Sequence, residues 1–300
     1  MASSRYLPDR GLTARMGGTI FLLGALFVVL GSVLVYYFSY WGVIFIGGFL
    51  VVQWFYSDRI ALYSMGGREV TPEEAPQLHA IVDRLCALAD MPKPKVAIAD
   101  TDVPNAFATG RSPQRAVVCA TTGIMRRLDE RELEGVLSHE LSHVAHRDVT
   151  VMTLAAFVGV LAGFLTRMAL YSGMFGGRRN NDNGGAPIVL IITLVSVIVY
   201  ALSFLLTRTL SRYRELAADR AGAFLTGQPS ALASALVKIS GDMGRIPTKD
   251  LRQAEPFNAF FFTPAIAPGF SISSLFSTHP SLEKRLDQLG RISAQLNNPA

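Results

Sequence analysis

Five residues near the middle of the chain carry its clearest chemistry: His139-Glu140-Leu141-Ser142-His143. Four residues advance an α-helix by about 400°, so two imidazoles at this spacing stand one above the other on one face. Together they can grip one zinc ion. Glu140, one step round, sits beside such a metal rather than on it, where a carboxylate can take a proton from an attacking water. The run before it, residues 129–137, is amphipathic, with Asp129 placed to cap a helix that continues through Arg147. Gly135 leaves room for a neighbouring element.

A zinc site of this kind wants a third protein ligand and keeps its fourth position for water. The metzincin spacing would put a histidine at position 149, which is Val149, so that pattern is absent. His146 lies one turn beyond His143 and reads as a solvated or interfacial histidine. The better source is Arg214-Glu215-Leu216-Ala217-Ala218-Asp219-Arg220, where Glu215 and Asp219 are spaced to share a helix face. One of these carboxylates can ligate the metal while the other accepts a hydrogen bond from a ligand imidazole and fixes its tautomer.

Composition says where such a site must sit. Of 300 residues, 50% are hydrophobic and only 17% charged, against roughly 25% charged in a typical soluble domain. Mean hydropathy is +0.32. A disordered chain is excluded and an ordinary cytosolic enzyme is not expected. The net charge of +5 fits Lys and Arg gathering on the cytoplasmic side of a membrane. No basic stripe with interleaved aromatics is present, so nucleic acid is not an expected partner. Cys86 and Cys119 are isolated and read as small buried side chains in a reducing compartment.

The uncharged stretches supply the architecture. Residues 16–57 hold no Asp, Glu, Lys or Arg, enough for two spans of about 20 residues each. We expect helices over about 17–37 and 42–56 with a tight turn near 39–42, where Tyr36, Tyr37, Tyr40 and Trp41 would form an interfacial belt. Residues 149–166 and 183–207 form a second uncharged pair, joined by the polar, glycine-rich stretch 176–185. That pair reads as a helical hairpin that spans the membrane.

Four divisions follow: 1–57, a tail and two spans; 58–148, the first part of a catalytic domain; 149–207, the hairpin; and 208–300, the second part. In the first polar block a helix starting at Pro72-Glu73-Glu74 buries Leu78, Ile81, Val82, Leu85 and Leu88. Short strands are expected over 95–99, 105–109 and 116–120. The last block is helical, broken by a Phe/Pro/Gly-rich loop from about 244 to 279 whose Phe257, Phe260, Phe261, Phe262, Phe270 and Phe276 read as core. Arg5, Arg10 and Arg15 put the N-terminus in the cytoplasm, and an even number of crossings keeps His143 and Glu215 on one side. Arg126, Arg127, Arg131, Arg147 and Asp148 flank the His139 motif, and each charge would cost about 2.5–3.5 kcal/mol at a bilayer centre. The site therefore lies in water or at the interface.

These features resemble the HtpX heat-shock membrane protease family, related to the CAAX prenyl endopeptidases. The likeness covers nearly the whole chain: two N-terminal spans, HELSHVAHRD at 139–148, a hydrophobic hairpin, the Arg214–Asp219 run, and Thr278-His279-Pro280. Asn105-Ala106-Phe107-Ala108 matches the edge-strand motif with which such enzymes bind substrate backbone. The resemblance implies a mainly α membrane protein, with four hydrophobic helices plus a gluzincin-like α+β metallopeptidase domain holding a small edge-strand sheet. It implies a plasma-membrane, multi-pass zinc endopeptidase, one Zn2+ per chain, that cleaves misfolded or damaged membrane proteins at the cytoplasmic face of the bilayer. By this likeness His139, His143 and Glu215 hold the zinc, Glu140 is the general base, and Asp219 supports a ligand. His279 steadies the oxyanion with Arg285 in support. A silent scaffold that kept this fold would normally lack a ligand or the base, and here the set is complete. A transporter would need ionisable residues inside its spans, and the first two apolar segments have none.

Overall fold

In the computed structural model the described residues are 10–110, 112–148, 150–152, 155, 158–159, 161–163, 166–167, 185–243 and 279–298. The first element, α1, runs from Arg10 to Ser64. The turn expected near 39–42 is absent. That stretch contains no proline to remove a backbone donor, so helical bonding continues through it.

The axis of α1 nevertheless cannot be straight. At 1.5 Å per residue, Arg15 and Leu62 would stand about 70 Å apart along it. A unit the size of the polar domain is only about 45 Å across. Yet Arg15 lines a cavity with Leu216 and Lys284, while Leu62 packs against the sheet beside Cys119. The helix leaves the polar unit and returns to it.

The sheet has four strands, β1 Gly67–Glu69, β2 Lys95–Ala99, β3 Ala106–Thr109 and β4 Val117–Thr121, in the order β1-β2-β4-β3. β2 and β4 are parallel; the outer pairings are antiparallel, with Ala108 opposite Val118. β3 is thus an edge. The short β1 was not anticipated, because Gly67-Arg68-Glu69 lacks β-forming side chains.

Helix α2, Pro76–Ala89, starts four residues later than expected. Pro76 occupies its first turn, and the residue before a proline is pushed out of the α region, as Ala75 is at φ −140°. Glu74 instead accepts the Thr71 amide and pairs with Arg68. Leu78, Ile81, Val82 and Leu85 of α2 are buried, each worth about 1.5–3 kcal/mol of transfer free energy. Leu88 is exposed instead although it shares a side with Ile81 and Leu85, because it lies in the last turn of α2 at the rim of that face.

After α3 (Thr122–Arg127) come α4, Glu130–Ala145, then α5, Gly185–Thr226, α6, Pro229–Met243, and α7, Leu282–Asn297. α2, α4, α6, α7 and one face of the sheet share a single core, built around Val118, Leu137, Leu141, Leu236 and Leu289. Phe107, Val117 and Cys119 form the other sheet face, closed by Leu62 and Met65. Burial raises both thiols, Cys86 to about 11 and Cys119 to about 12, so neither is a nucleophile at neutral pH.

A separate apolar layer joins Leu23 and Leu30 of α1 to Val199 and Leu210 of α5 and to Ala155, Val158, Leu161 and Ala162. Thr13–Ser32 and Thr193–Thr226 are long and apolar enough to cross a membrane, and only 17% and 22% of their apolar windows are buried. Phe21, Val28 and Leu190 point outward. That is the inverse of a soluble core helix and suits lipid. Two candidate spans, rather than four hydrophobic helices, are present among the described residues. The 176–184 stretch and the Phe cluster at 257–276 lie outside them.

Candidate active site

α4 is anchored at its start by a capping box. Asp129 accepts the Glu132 amide at 2.9 Å, and Glu132 accepts that of Asp129 at 3.0 Å. Two and three turns on, His139 and His143 project from one face with their Nε2 atoms 3.2 Å apart. Glu215 of α5 completes the group: Oε1 lies 3.4 Å from Nε2 of His143 and Oε2 lies 3.7 Å from Nε2 of His139. One ligand atom from each residue falls within 4.8 Å of the others, so the three could hold a metal ion.

A carboxylate stands behind each imidazole. Asp219 lies 2.9 Å from Nδ1 of His139, and Asp148 lies 2.5 Å from Nδ1 of His143. A carboxylate only accepts, so a neutral imidazole keeps its proton on Nδ1 and turns the Nε2 lone pair forward. Two lone pairs and a carboxylate then converge with no hydrogen to share among them. A cation relieves that arrangement, and two imidazoles with one carboxylate is a donor set zinc accepts. The residues fit the metal.

The close approach of α5 depends on a glycine. Glu215, Asp219 and Gly222 recur at four and then three residues, one helix face. A Cβ at Gly222 would meet Ser138 Oγ at 2.7 Å and the His139 amide nitrogen at 3.0 Å. Behind α5, Arg285 of α7 grips Asp219 with Nε and Nη2 at 2.7 and 2.6 Å. Asp219 is 0% and Arg285 2% exposed, a buried pair tolerated because each charge is met by the other and by His139. Nδ1 of His279 lies 3.0 Å from Oε2 of Glu215.

Glu140 meets the sheet. The Ala108 amide of edge strand β3 donates to its Oε2 at 3.0 Å. Burial pushes the Glu140 carboxyl up to about 8, against the pull of His143. Burial also holds His139 below the usual histidine value, despite Asp219. For Glu215 burial alone would raise the pKa, but His279, His143 and His139 hold it well below the carboxylate range. In Asp219 burial is likewise outweighed, mainly by Arg285.

The structure therefore gathers His139, His143, Glu215, Glu140, Asp219, His279, Arg285 and Ala108 around one point. Asn105 and Ala106 are buried, and the Asn105 backbone is held by Thr121 through both its amide and its carbonyl. Phe107 presents its ring to the far face of the sheet, since alternate strand residues point to opposite sides. His146 bonds the Ser142 carbonyl with Nδ1 at 2.7 Å and stays outside the cluster.

Two functional residues escaped the sequence reading. Arg147, at φ +55°, ends α4 at Ala145 rather than carrying it through Arg147, and Asp148 folds back onto His143. Arg214 then clamps Asp148, bonding its carbonyl at 2.7 Å as well as its carboxylate. The available signal is an acid one helical turn and a half after the second histidine, which by spacing alone is no more than a flanking charge.

A helix-borne pair of histidines with an intervening glutamate, completed by a carboxylate from a second helix beside an edge strand, is the site of a metallopeptidase. The family model described as peptidase family M48 matches residues 72–293. A protein named protease HtpX homolog 1 from Streptomyces coelicolor is 59% identical over 295 residues, 98% of this chain and 96% of its own length. The protease HtpX homolog of Moorella thermoacetica is 56% identical over 291 residues, 96% of each chain. Among solved structures, the crystal structure of S. mikatae Ste24p matches 89% of this chain with a TM-score of 0.54 and 18% identity. This chain covers 62% of that one, and the likeness is one of fold. The chain belongs to peptidase family M48, among its HtpX proteases, and is a membrane metalloprotease.

Proposed function

We propose that this protein is a zinc-dependent endopeptidase that cleaves misfolded or damaged membrane proteins at the cytoplasmic face of the plasma membrane, in protein quality control under stress. The observation that carries the reading is the convergence of His139, His143 and Glu215 beside Glu140, itself tied to the edge strand by the Ala108 amide. Zinc held by those three residues would acidify water and polarise the scissile carbonyl.

The chain's own residues do the rest. An extended substrate segment lies along β3, meeting the outward main-chain groups of Ala106 and Ala108 as a partner strand would. Asn105 and Phe107 hold that strand in place, the first through Thr121 and the second through its ring in the core. Glu140 accepts the proton of the attacking water and returns it to the departing amine. His279, held beside the metal ligands by Glu215 at Nδ1, steadies the developing oxyanion. Arg285 holds Asp219, and Asp219 and Asp148 hold the two imidazoles so that neither turns.

Segments 1–57 and 149–207 serve as anchor, while 58–148 and 208–300 form the catalytic unit on one side of the bilayer. The basic N-terminus and the return of α1 to that unit support a cytoplasmic, multi-pass arrangement. The test is metal dependence. Purified full chain should hold about one zinc, lose casein cleavage to a chelator and regain it on zinc addition. Glu215→Ala should lower zinc content and activity together, since only two imidazoles remain. Full cleavage in the metal-free state would refute the reading.

A further inference from the structure

A cavity of about 350 Å³ lies away from the active site, where the start of α1 meets α5 and α7. Four cations line it, Arg15, Arg220, Lys284 and Arg291, together with one acid, Asp287. Arg291 is paired with Asp287. Arg15, Arg220 and Lys284 have no carboxylate partner among the described residues. Arg220 is steadied by its guanidinium lying 4.7 Å over the Phe224 ring, and its Nε is buried without a hydrogen bond. Unneutralised cations converging in a cleft of ligand size, which begins at roughly 300 Å³, call for an anion.

Position selects which anion. Arg15 stands in the first turn of the candidate span Thr13–Ser32, and Arg220 belongs to the helix whose apolar part forms the other span. The cavity thus opens at the level where lipid headgroups lie. We propose that it binds the phosphate of an anionic phospholipid, with the acyl chains running along α1 and α5. The inference rests on the membrane reading of these two helices. A bound headgroup would tie α7 to α5, adding to the Gln288 bond with the Leu216 carbonyl at 2.8 Å. α7 also delivers Arg285 to Asp219, so the lipid would brace the arm that orients His139.

The test uses the full chain in mixed micelles of phosphatidylcholine and phosphatidylglycerol, with lipid retention read by native mass spectrometry. Wild type should retain one phosphatidylglycerol in preference to phosphatidylcholine. Lys284→Gln and Arg15→Gln, both at exposed positions, should each weaken retention roughly fivefold, and together more steeply. Lys284→Glu should weaken it further at an unchanged melting temperature. Equal retention of the two lipids, or retention indifferent to all three variants, would overturn the proposal. Inorganic phosphate displacing the lipid at equal concentration would overturn the lipid assignment. Protein that does not sediment with membranes would instead remove the membrane reading beneath it.

Discussion

Asp148 and His146 lie close together in sequence, and their side chains do opposite things. Asp148 fixes the tautomer of His143, and removing such a partner commonly costs 10- to 100-fold in metal affinity. Asp148→Asn should therefore weaken zinc affinity by about that factor with the fold intact, measured by competition against a chromophoric chelator. His146→Ala should leave affinity near wild type, because its ring turns to the Ser142 carbonyl and is not one of the three residues that could hold the metal. The reverse pattern would move the metal-supporting role to His146. Both histidines of the site and Glu140 were legible in the sequence because helical spacing alone fixes their face. Asp148 was not, because it lies past the helix end and reaches His143 only through the left-handed turn at Arg147. Helical spacing alone left Glu215 and Asp219 open and the family likeness chose Glu215; in the structure Arg285 occupies Asp219 while Glu215 faces the two imidazoles.

Helices α4 and α5 form the site only where their backbones nearly touch. Gly222 permits that contact, and its distances to Ser138 and the His139 amide leave no space for a β-carbon. Gly222→Val should push α5 outward, lowering zinc content as well as melting temperature, whereas Gly241→Ala, with open space around it inside a helix, should lower neither. Loss of stability with normal zinc occupancy would show that the approach is not what sets the ligand geometry. At this scale the sequence was a good guide to α4 and to strands β2 and β4, whose apolar runs sit between turn residues. It misplaced the start of α2, where the backbone restriction before Pro76 outweighed the acidic residues that signalled an earlier start. It also foresaw a turn in α1 from clustered aromatics. Aromatics mark an interface without breaking a helix, and helical hydrogen bonding runs unbroken from Arg10 to Ser64.

For the whole molecule, the proposed function requires that chain segments on either side of the apolar stretches 149–166 and 183–207 meet on one side of the bilayer. Residues 143 and 215 do meet, so the chain between them crosses an even number of times. Hydrophobic length favours two crossings over none, although Arg178 and Arg179 would then face outward against the usual charge bias. A cysteine at Asn181, in a background lacking Cys86 and Cys119, should react with an impermeant maleimide in intact cells; labelling only after lysis would leave the hairpin on the cytoplasmic face. The central claim, that one metal centre with Glu140 as its base hydrolyses peptide bonds, is tested most directly by paired zinc analysis and casein cleavage on Glu140→Gln. The amide keeps the size of the side chain and its bond from Ala108 but cannot take up the water's proton. The account predicts wild-type zinc content with cleavage reduced at least about 100-fold, in line with the usual worth of general-base catalysis, and cleavage at the wild-type rate would contradict it.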